Sequence, residues 1–255
     1  MTASADPHAA TPAAPPRLAF GVDPSRPERY SLRQARYAAL AADVDRWAAE
    51  TARDGKTLSV LDVGCGWGPL LCHLDTKPHF DRIAISAADI KEMAGYRKQA
   101  YRDYFIGDLS EGYPEIPSGR YDVVVCEQVL EHLAALDAAL ATLVRLARPG
   151  GRLVIGVPIF PPPLHLARKY LVPLLPAIVR PDDSTHQQAF SLGSFLRELR
   201  RQPVTVEAVR GFRIISGGPL RPLENYRWWW RLNRRLGERV PALCIEAQII
   251  ARKVQ

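Results

Sequence analysis

The sequence predicts an α/β fold built on a parallel, doubly wound sheet, and three observations carry that expectation. Short apolar runs with β-branched members alternate with stretches of helical spacing from Leu58 to Val157. That is the pattern of strands covered on both faces and joined by crossover helices. The first such run, Leu58 to Val63, leads straight into Gly64-Cys65-Gly66-Trp67-Gly68 and a helix start at Pro69. Acidic residues then stand at the carboxyl ends of successive strands, as Asp62, Asp89, Asp108 and Glu127. Ligands bind along that edge of such sheets, so the four acids are expected to converge there.

Taken in order, the chain opens with Met1 to Pro16, which has neither a basic start nor an apolar core and does not read as a signal peptide. Its Ala and Pro content predicts a disordered tail, placed at residues 1–28. Ser31 to Thr51 is a helix with Ser31 as N-cap. Asp54-Gly55 ends it and leads to the first strand. Pro69 pre-sets a helical φ, and Leu70, Leu71 and Leu74 continue on one face. Arg82 to Ile90 is the second strand, ending at Asp89, and a helix follows around Lys91 to Arg102. The third strand runs from Tyr104 to Leu109 with Asp108 near its end. Tyr121 to Cys126 is the fourth, followed by Glu127-Gln128-Val129-Leu130-Glu131-His132. Ala134 to Ala147 is a helix stopped by Arg148-Pro149-Gly150-Gly151, and Arg152 to Val157 is the fifth strand.

Pro158 to Ser191 departs from the rhythm. It contains three consecutive prolines, an apolar stretch, and then the polar Asp182-Asp183-Ser184-Thr185-His186-Gln187-Gln188. Phe190 to Arg200 is a helix, Val204 to Ser216 a sixth strand broken around Gly211, Arg221 to Arg239 a basic, Trp-rich helical insertion, and Leu243 to Lys253 the seventh strand.

The spacing of the glycine turn separates two ligand classes. A dinucleotide fingerprint needs its last glycine where this chain has Pro69, and the pattern here is instead D-x-G-x-G-x-G. A carboxylate at Asp62 suits a cationic ligand better than a pyrophosphate. VLDVGCGWG resembles motif I of the class I S-adenosylmethionine-dependent methyltransferases, and YDVVVCEQVLEHL, whose Glu131-His132 pair would open the next helix, and RPGGRLVIGVP are similar to later segments of the same family. The resemblance covers the chain from about Tyr30 onward. It implies a Rossmann-like doubly wound seven-stranded sheet, mostly parallel with an antiparallel last strand beside the sixth, as a methyltransferase domain over 29–255.

The resemblance also implies a site. S-adenosyl-L-methionine would sit on the turn of Asp62, Gly64, Cys65, Gly66 and Gly68. Asp89, with Ile90 beside it, would take the ribose hydroxyls, Asp108 the adenine amine, and Leu109 the face of the ring. Glu127 and Gln128 would meet the methionine arm, with Tyr30 and Arg36 as candidates for its carboxylate. His132, as a base or as a residue ordering the turn, and His186, as an acid–base or acceptor-positioning residue, are the catalytic candidates, and 158–191 and 217–241 the lid-like insertions.

Composition narrows the partners. Hydrophobic residues make up 47% and charged residues 24% of the 255, as in ordinary globular chains. The net charge of +7 comes from dispersed arginines, so no nucleic acid is expected. Four cysteines without a CxxC pair and six histidines without ligand spacing indicate reduced thiols, no metal and a cytoplasmic setting. The apolar insertions, and Trp228-Trp229-Trp230 among arginines, point to a small, partly apolar, lipid-like acceptor and to peripheral membrane contact. Adjacent tryptophans on a helix cannot all enter one core, because successive residues lie about 100° apart. Oligomeric state is not legible. A cofactor-binding protein without catalysis and a nicotinamide-dependent oxidoreductase are the alternatives; Pro69 argues against the second.

Overall fold

A computed structural model describes residues 32–92, 97–161, 187–214, 220, 222–223 and 226–254. The expected N-terminal tail, the Ser31 cap, Tyr30, His186 and most of the first insertion lie outside them. Seven strands form one sheet: β1 (Leu58–Val63), β2 (Ile83–Asp89), β3 (Tyr104–Ile106), β4 (Tyr121–Glu127), β5 (Ala147–Pro158), β6 (Val204–Phe212) and β7 (Glu246–Lys253). Their order is β3-β2-β1-β4-β5-β7-β6. The first five run parallel, and β7 is antiparallel to both its neighbours, β5 and β6. The seven-stranded, mostly parallel sheet with an antiparallel last strand is therefore as expected.

Side-chain alternation divides the strands between two cores. From β1, Leu58 and Val60 pack with Leu40, Val44 and Trp47 of α1 (Ala35–Ala52) and with Leu70, Leu71 and Leu74 of α2 (Pro69–Leu74). Leu61 and Val63 point the other way, into a core with Leu140 and Leu143 of α3 (Leu136–Leu146) and Phe195 and Leu199 of α4 (Leu192–Leu199). α4 begins with a reciprocal capping box between Ser191 and Ser194. The last helix, α5 (Arg227–Arg239), packs across the end of β6.

Five expectations are corrected. Among the described residues, the helix expected around Lys91 to Arg102 is only a 3₁₀ turn at Lys98–Ala100, and β3 stops at Ile106. β5 begins at Ala147, five residues early, because Arg148 to Gly151 form a bulge against β4 instead of ending the helix in a loop. The Glu131-His132 pair stands on a 3₁₀ turn, Leu130–His132, ahead of α3. Finally, β6 is not broken at Gly211, which pairs with Ala247; the irregularity is a bulge between Val206 and Ala208. Gly211 is small for another reason. A Cβ there would lie 2.4 Å from Cys244 Sγ, and a Cβ on Gly237 would lie 1.9 Å from the Gly211 carbonyl oxygen. The glycines let α5 sit directly on the sheet.

Candidate functional site

The carboxyl ends of β1 to β4 meet at one edge of the sheet, and two regions with different chemistry lie there. The first is a cavity of about 360 Å³. It brings together Gly64, Asp89, Ile90, Asp108, Leu109, Gln128 and His132 of the predicted residues, with Val63, Gly107, Tyr113, Val129 and Leu133 completing the wall. Asp89 is fixed by backbone donors: Gly66 N–H donates to Oδ2 at 2.8 Å and Ile90 N–H to Oδ1 at 2.8 Å. Asp108 Oδ1 accepts from Ser110 N–H at 2.7 Å, capping a 3₁₀ turn that buries Leu109. Gly64 N–H donates to Ala88 O at 2.7 Å with φ +72°. A Cβ on Gly64 would stand 2.2 Å from Val129 Cγ2, so this position admits no side chain. Gly66 and Gly68 also hold positive φ, at +51° and +89°.

The second region is a row of polar side chains on the α1 face of the sheet. Asp62 shares its face of β1 with Leu58 and Val60, and Glu127 shares its face of β4 with Val123 and Val125. Both are buried. Glu127 pairs in register with Gly156, and Gly156 with Gln248, so the row continues across β5 onto β7. Gln248 Nε2 donates to Glu127 Oε1 at 2.6 Å. Arg36 Nε lies 3.2 Å from Glu127 Oε2 without hydrogen-bond alignment, and its Nη1 donates to Glu246 Oε2 at 3.0 Å. Arg213 closes the far side on Glu246 Oε1 at 2.8 Å. A Cβ on Gly156 would fall 2.0 Å from the Glu127 carboxylate.

This region holds more buried carboxyl groups, Asp62, Glu127 and Glu246, than the guanidinium partners Arg36 and Arg213 that face them. Asp62 Oδ2 is buried with no hydrogen-bond partner. Burial, then the Glu127 and Asp89 carboxylates, push the Asp62 acid up to about 7. Burial also pushes Glu127 up to about 7, against the pull of Arg36 and Gln248. Burial raises Tyr37, beside Arg36, to about 12. A donor carrying positive charge is what Asp62 Oδ2 lacks, so the donor set fits an ammonium group.

Three further placements matter. Asp62, Cys65, Gly66, Gly68 and Glu127 do not line the cavity; they lie behind or beside it. Arg36, a candidate for a ligand carboxylate, is held by Glu127 and Glu246. His132 reaches the cavity wall, with Nε2 3.8 Å from Oε1 of the buried Glu131, whose acid burial pushes up to about 7. The sequence reading missed Gly156, Gln248 and Glu246. A glycine inside a strand and two polar residues in the apolar run of β7 were the available signals.

The methyltransferase-domain family matches residues 32–209, well over half of the chain. The chain belongs to the class I S-adenosylmethionine-dependent methyltransferases. Among curated relatives, the ubiquinone biosynthesis O-methyltransferase of Rickettsia akari (strain Hartford) is 30% identical over 116 residues, 44% of this chain and 45% of that protein. The match thus spans somewhat under half the length of that relative. A Bacillus halodurans structure described as a methyltransferase aligns with TM-score 0.53 and 15% identity, over 82% of this chain and 99% of that one. A SAM-dependent methyltransferase structure from Archaeoglobus fulgidus aligns with TM-score 0.50 and 19% identity, over 85% and 94%. At such identities these two show the fold alone. As in methyltransferases of this class, the cofactor is S-adenosylmethionine, a nucleoside joined to an amino acid through a sulfonium. Among the described residues no cluster of His, Cys, Asp and Glu could hold a metal ion. All four cysteines are free and buried.

Proposed function

We propose that this methyltransferase transfers the sulfonium methyl of S-adenosylmethionine to a hydroxyl oxygen of a small acceptor with an apolar part, met at a membrane surface. The observation that carries the reading is the pairing of a nucleoside-sized cavity with a buried, unpartnered Asp62 oxygen at the same strand edge. Oxygen as the accepting atom is supported by the curated relatives, which are O-methyltransferases by name.

In this reading Gly64, Cys65, Gly66 and Gly68 form the turn that admits the cofactor, and Asp89 accepts from the ribose hydroxyls with Ile90 alongside. Asp108 takes the adenine amine and Leu109 packs on the ring. Asp62, Glu127 and Gln128 face the amino-acid arm, where Asp62 holds its ammonium. The cofactor supplies an electrophilic methyl, so the chain's task is to orient the acceptor, exclude water and take up a proton. His132, on the cavity wall with Glu131 behind it, is the proposed proton acceptor. His186 remains a second candidate, outside the described residues.

The test is transfer of labelled methyl to catechols bearing alkyl tails of increasing length, with binding of S-adenosylhomocysteine measured calorimetrically alongside. Transfer that improves with tail length is expected. Tight S-adenosylhomocysteine binding with no transfer to any hydroxylated acceptor overturns the reaction and leaves a cofactor-binding protein.

A further inference from the structure

The described residues include nine large apolar side chains exposed to solvent, and six of them fall between Leu220 and Leu243: Leu220, Tyr226, Trp228, Leu232, Val240 and Leu243. That concentration lies in one segment, with α5 at its centre. The helix turns its two faces to different tasks. Trp229 and Asn233 are buried, and Trp230 packs beside Ala35, Ala39 and Phe212. Gly237 rests on the backbone of Gly211. At about 100° per residue, Trp228, Arg231, Leu232, Arg235 and Arg239 fall within a single arc of about 100° on the opposite side. All five are exposed, Trp228 at 56% and Leu232 at 40%. The acidic residue of α5, Glu238, lies at the edge of that arc, about 20° beyond Arg231, and is held by Arg234 at 2.9 Å.

An indole, a leucine and three guanidinium groups on one face, with no carboxylate among them, complement a surface that is apolar below and anionic above. A phosphate backbone would answer the arginines but leave Leu232, Val240 and Leu243 in water. The helix has 13 residues, about 20 Å, too short to cross a bilayer. Topology adds its position. β6 runs parallel to β1 through β5, so the segment from Phe212 to Glu246 that carries α5 leaves and rejoins the sheet at the edge where Asp62 and Asp89 end their strands.

We infer that the outer face of α5 docks the protein on an anionic lipid bilayer, with Trp228 and Leu232 in the acyl boundary and Arg231, Arg235 and Arg239 at the headgroups. The inference rests on the reading that the acceptor is partly apolar and met at a membrane, and it names the element and the lipid charge. Trp229 and Trp230 hold the helix to the protein, so Trp228 is the tryptophan to change.

The experiment is flotation of the full chain with vesicles of phosphatidylcholine alone or mixed with phosphatidylglycerol, at low and high salt. Binding only to the mixed vesicles is expected, weakening as salt rises. Arg231→Gln/Arg235→Gln should lower the partition coefficient about thirtyfold, at about 1 kcal/mol for each guanidinium near the surface. Trp228→Ser/Leu232→Ser should lower it more than about tenfold, because both side chains lose their burial in the acyl boundary. Both pairs are exposed and should leave S-adenosylhomocysteine affinity unchanged. Quenching of wild-type tryptophan emission by brominated acyl chains gives a readout that needs no variant. Wild type that ignores phosphatidylglycerol vesicles at low salt, or variants that float like the parent, overturns the inference. So does capture by a DNA duplex or a soluble protein without vesicle binding. Methyl transfer to a short-tailed, soluble catechol without vesicle binding would sink the docking surface alone. Vesicle binding without transfer to any acceptor would sink the reaction alone.

Discussion

The two regions at the strand edge handle their acids in opposite ways. Around the cavity, Asp89 and Asp108 receive backbone N–H donors at 2.7 to 2.8 Å, and their orientation is set by the turn and the cap they belong to. Behind it, Asp62 and Glu127 are buried as diagonal neighbours on one face of the sheet, and Asp62 Oδ2 has no hydrogen-bond partner. The difference separates preorganisation from stored electrostatic cost. Backbone amides hold a carboxylate in place without charging the site. Buried carboxylates short of cations hold their acids near pH 7 and gain most when a positive group arrives.

The largest expected effect breaks the cavity itself. Gly64→Ala places a Cβ against Val129 at a φ of +72°, so both sterics and backbone oppose it. Strain of roughly 1–3 kcal/mol in stability and loss of measurable S-adenosylhomocysteine binding are expected. Gly64→Ala/Val129→Ala should recover part of the stability, which thermal melts would read.

Next come the two kinds of acid. Asp89→Ala should weaken S-adenosylhomocysteine binding by about tenfold to a hundredfold, corresponding to roughly 1.5–3 kcal/mol for a charge-assisted acceptor. Asp62→Asn should act through pH. The Asp62 acid is raised from 3.8 in the unfolded chain to about 7 when folded. It therefore opposes folding increasingly as pH rises through that window, and Asp62→Asn should gain thermal stability over the parent between pH 4 and pH 7. Ligand binding runs the other way. An ammonium favours the charged carboxylate, so wild-type affinity should be full above about 7 and fall by up to about tenfold per pH unit below it. Asp62→Asn should flatten that profile and Asp89→Ala should not. Calorimetric titrations from pH 5 to 8 would separate them, and equal pH profiles for both variants would erase the distinction between the regions.

The smallest effect sharpens the comparison of glycines. Gly66 has φ +51° and nothing within 4 Å of an added Cβ. Gly66→Ala should cost about 1–2 kcal/mol through its left-handed backbone alone and, without the Val129 clash, should keep the binding that Gly64→Ala loses. Equal losses of binding would show that contact with Val129 is not what makes Gly64 special.

Much of this was legible in the chain. The alternation of apolar runs and helical spacing specified a doubly wound sheet, because period-2 and period-3.6 patterns are local properties of the backbone. The glycine turn and the acids at the ends of β1, β2 and β4 were read to within a residue, since a strand end and a positive-φ turn announce themselves in composition. Weak local signals failed. The described part of Lys91 to Arg102 is only a 3₁₀ turn, and Gly211 read as a break although it makes room for Gly237 and Cys244. A glycine's role depends on what presses against it, which a linear pattern does not contain.

Parity along each strand already put Asp62 on the face of Leu58 and Val60, and Glu127 on that of Val123 and Val125. What parity could not say is which strands stand side by side. The order β1-β4-β5-β7 brings Glu127, Gly156 and Gln248 into one row with Asp62 diagonally beside it, opposite Val125, although the four are spread over 187 positions of the chain. Likewise, helical geometry required at least one of three consecutive tryptophans to face outward, but the packing of α5 on Phe212 and Gly211 decided that it is Trp228. Local sequence sets the direction in which each side chain leaves its own backbone. Burial, charge and partnership arise only where separate elements meet, and the fold alone decides that.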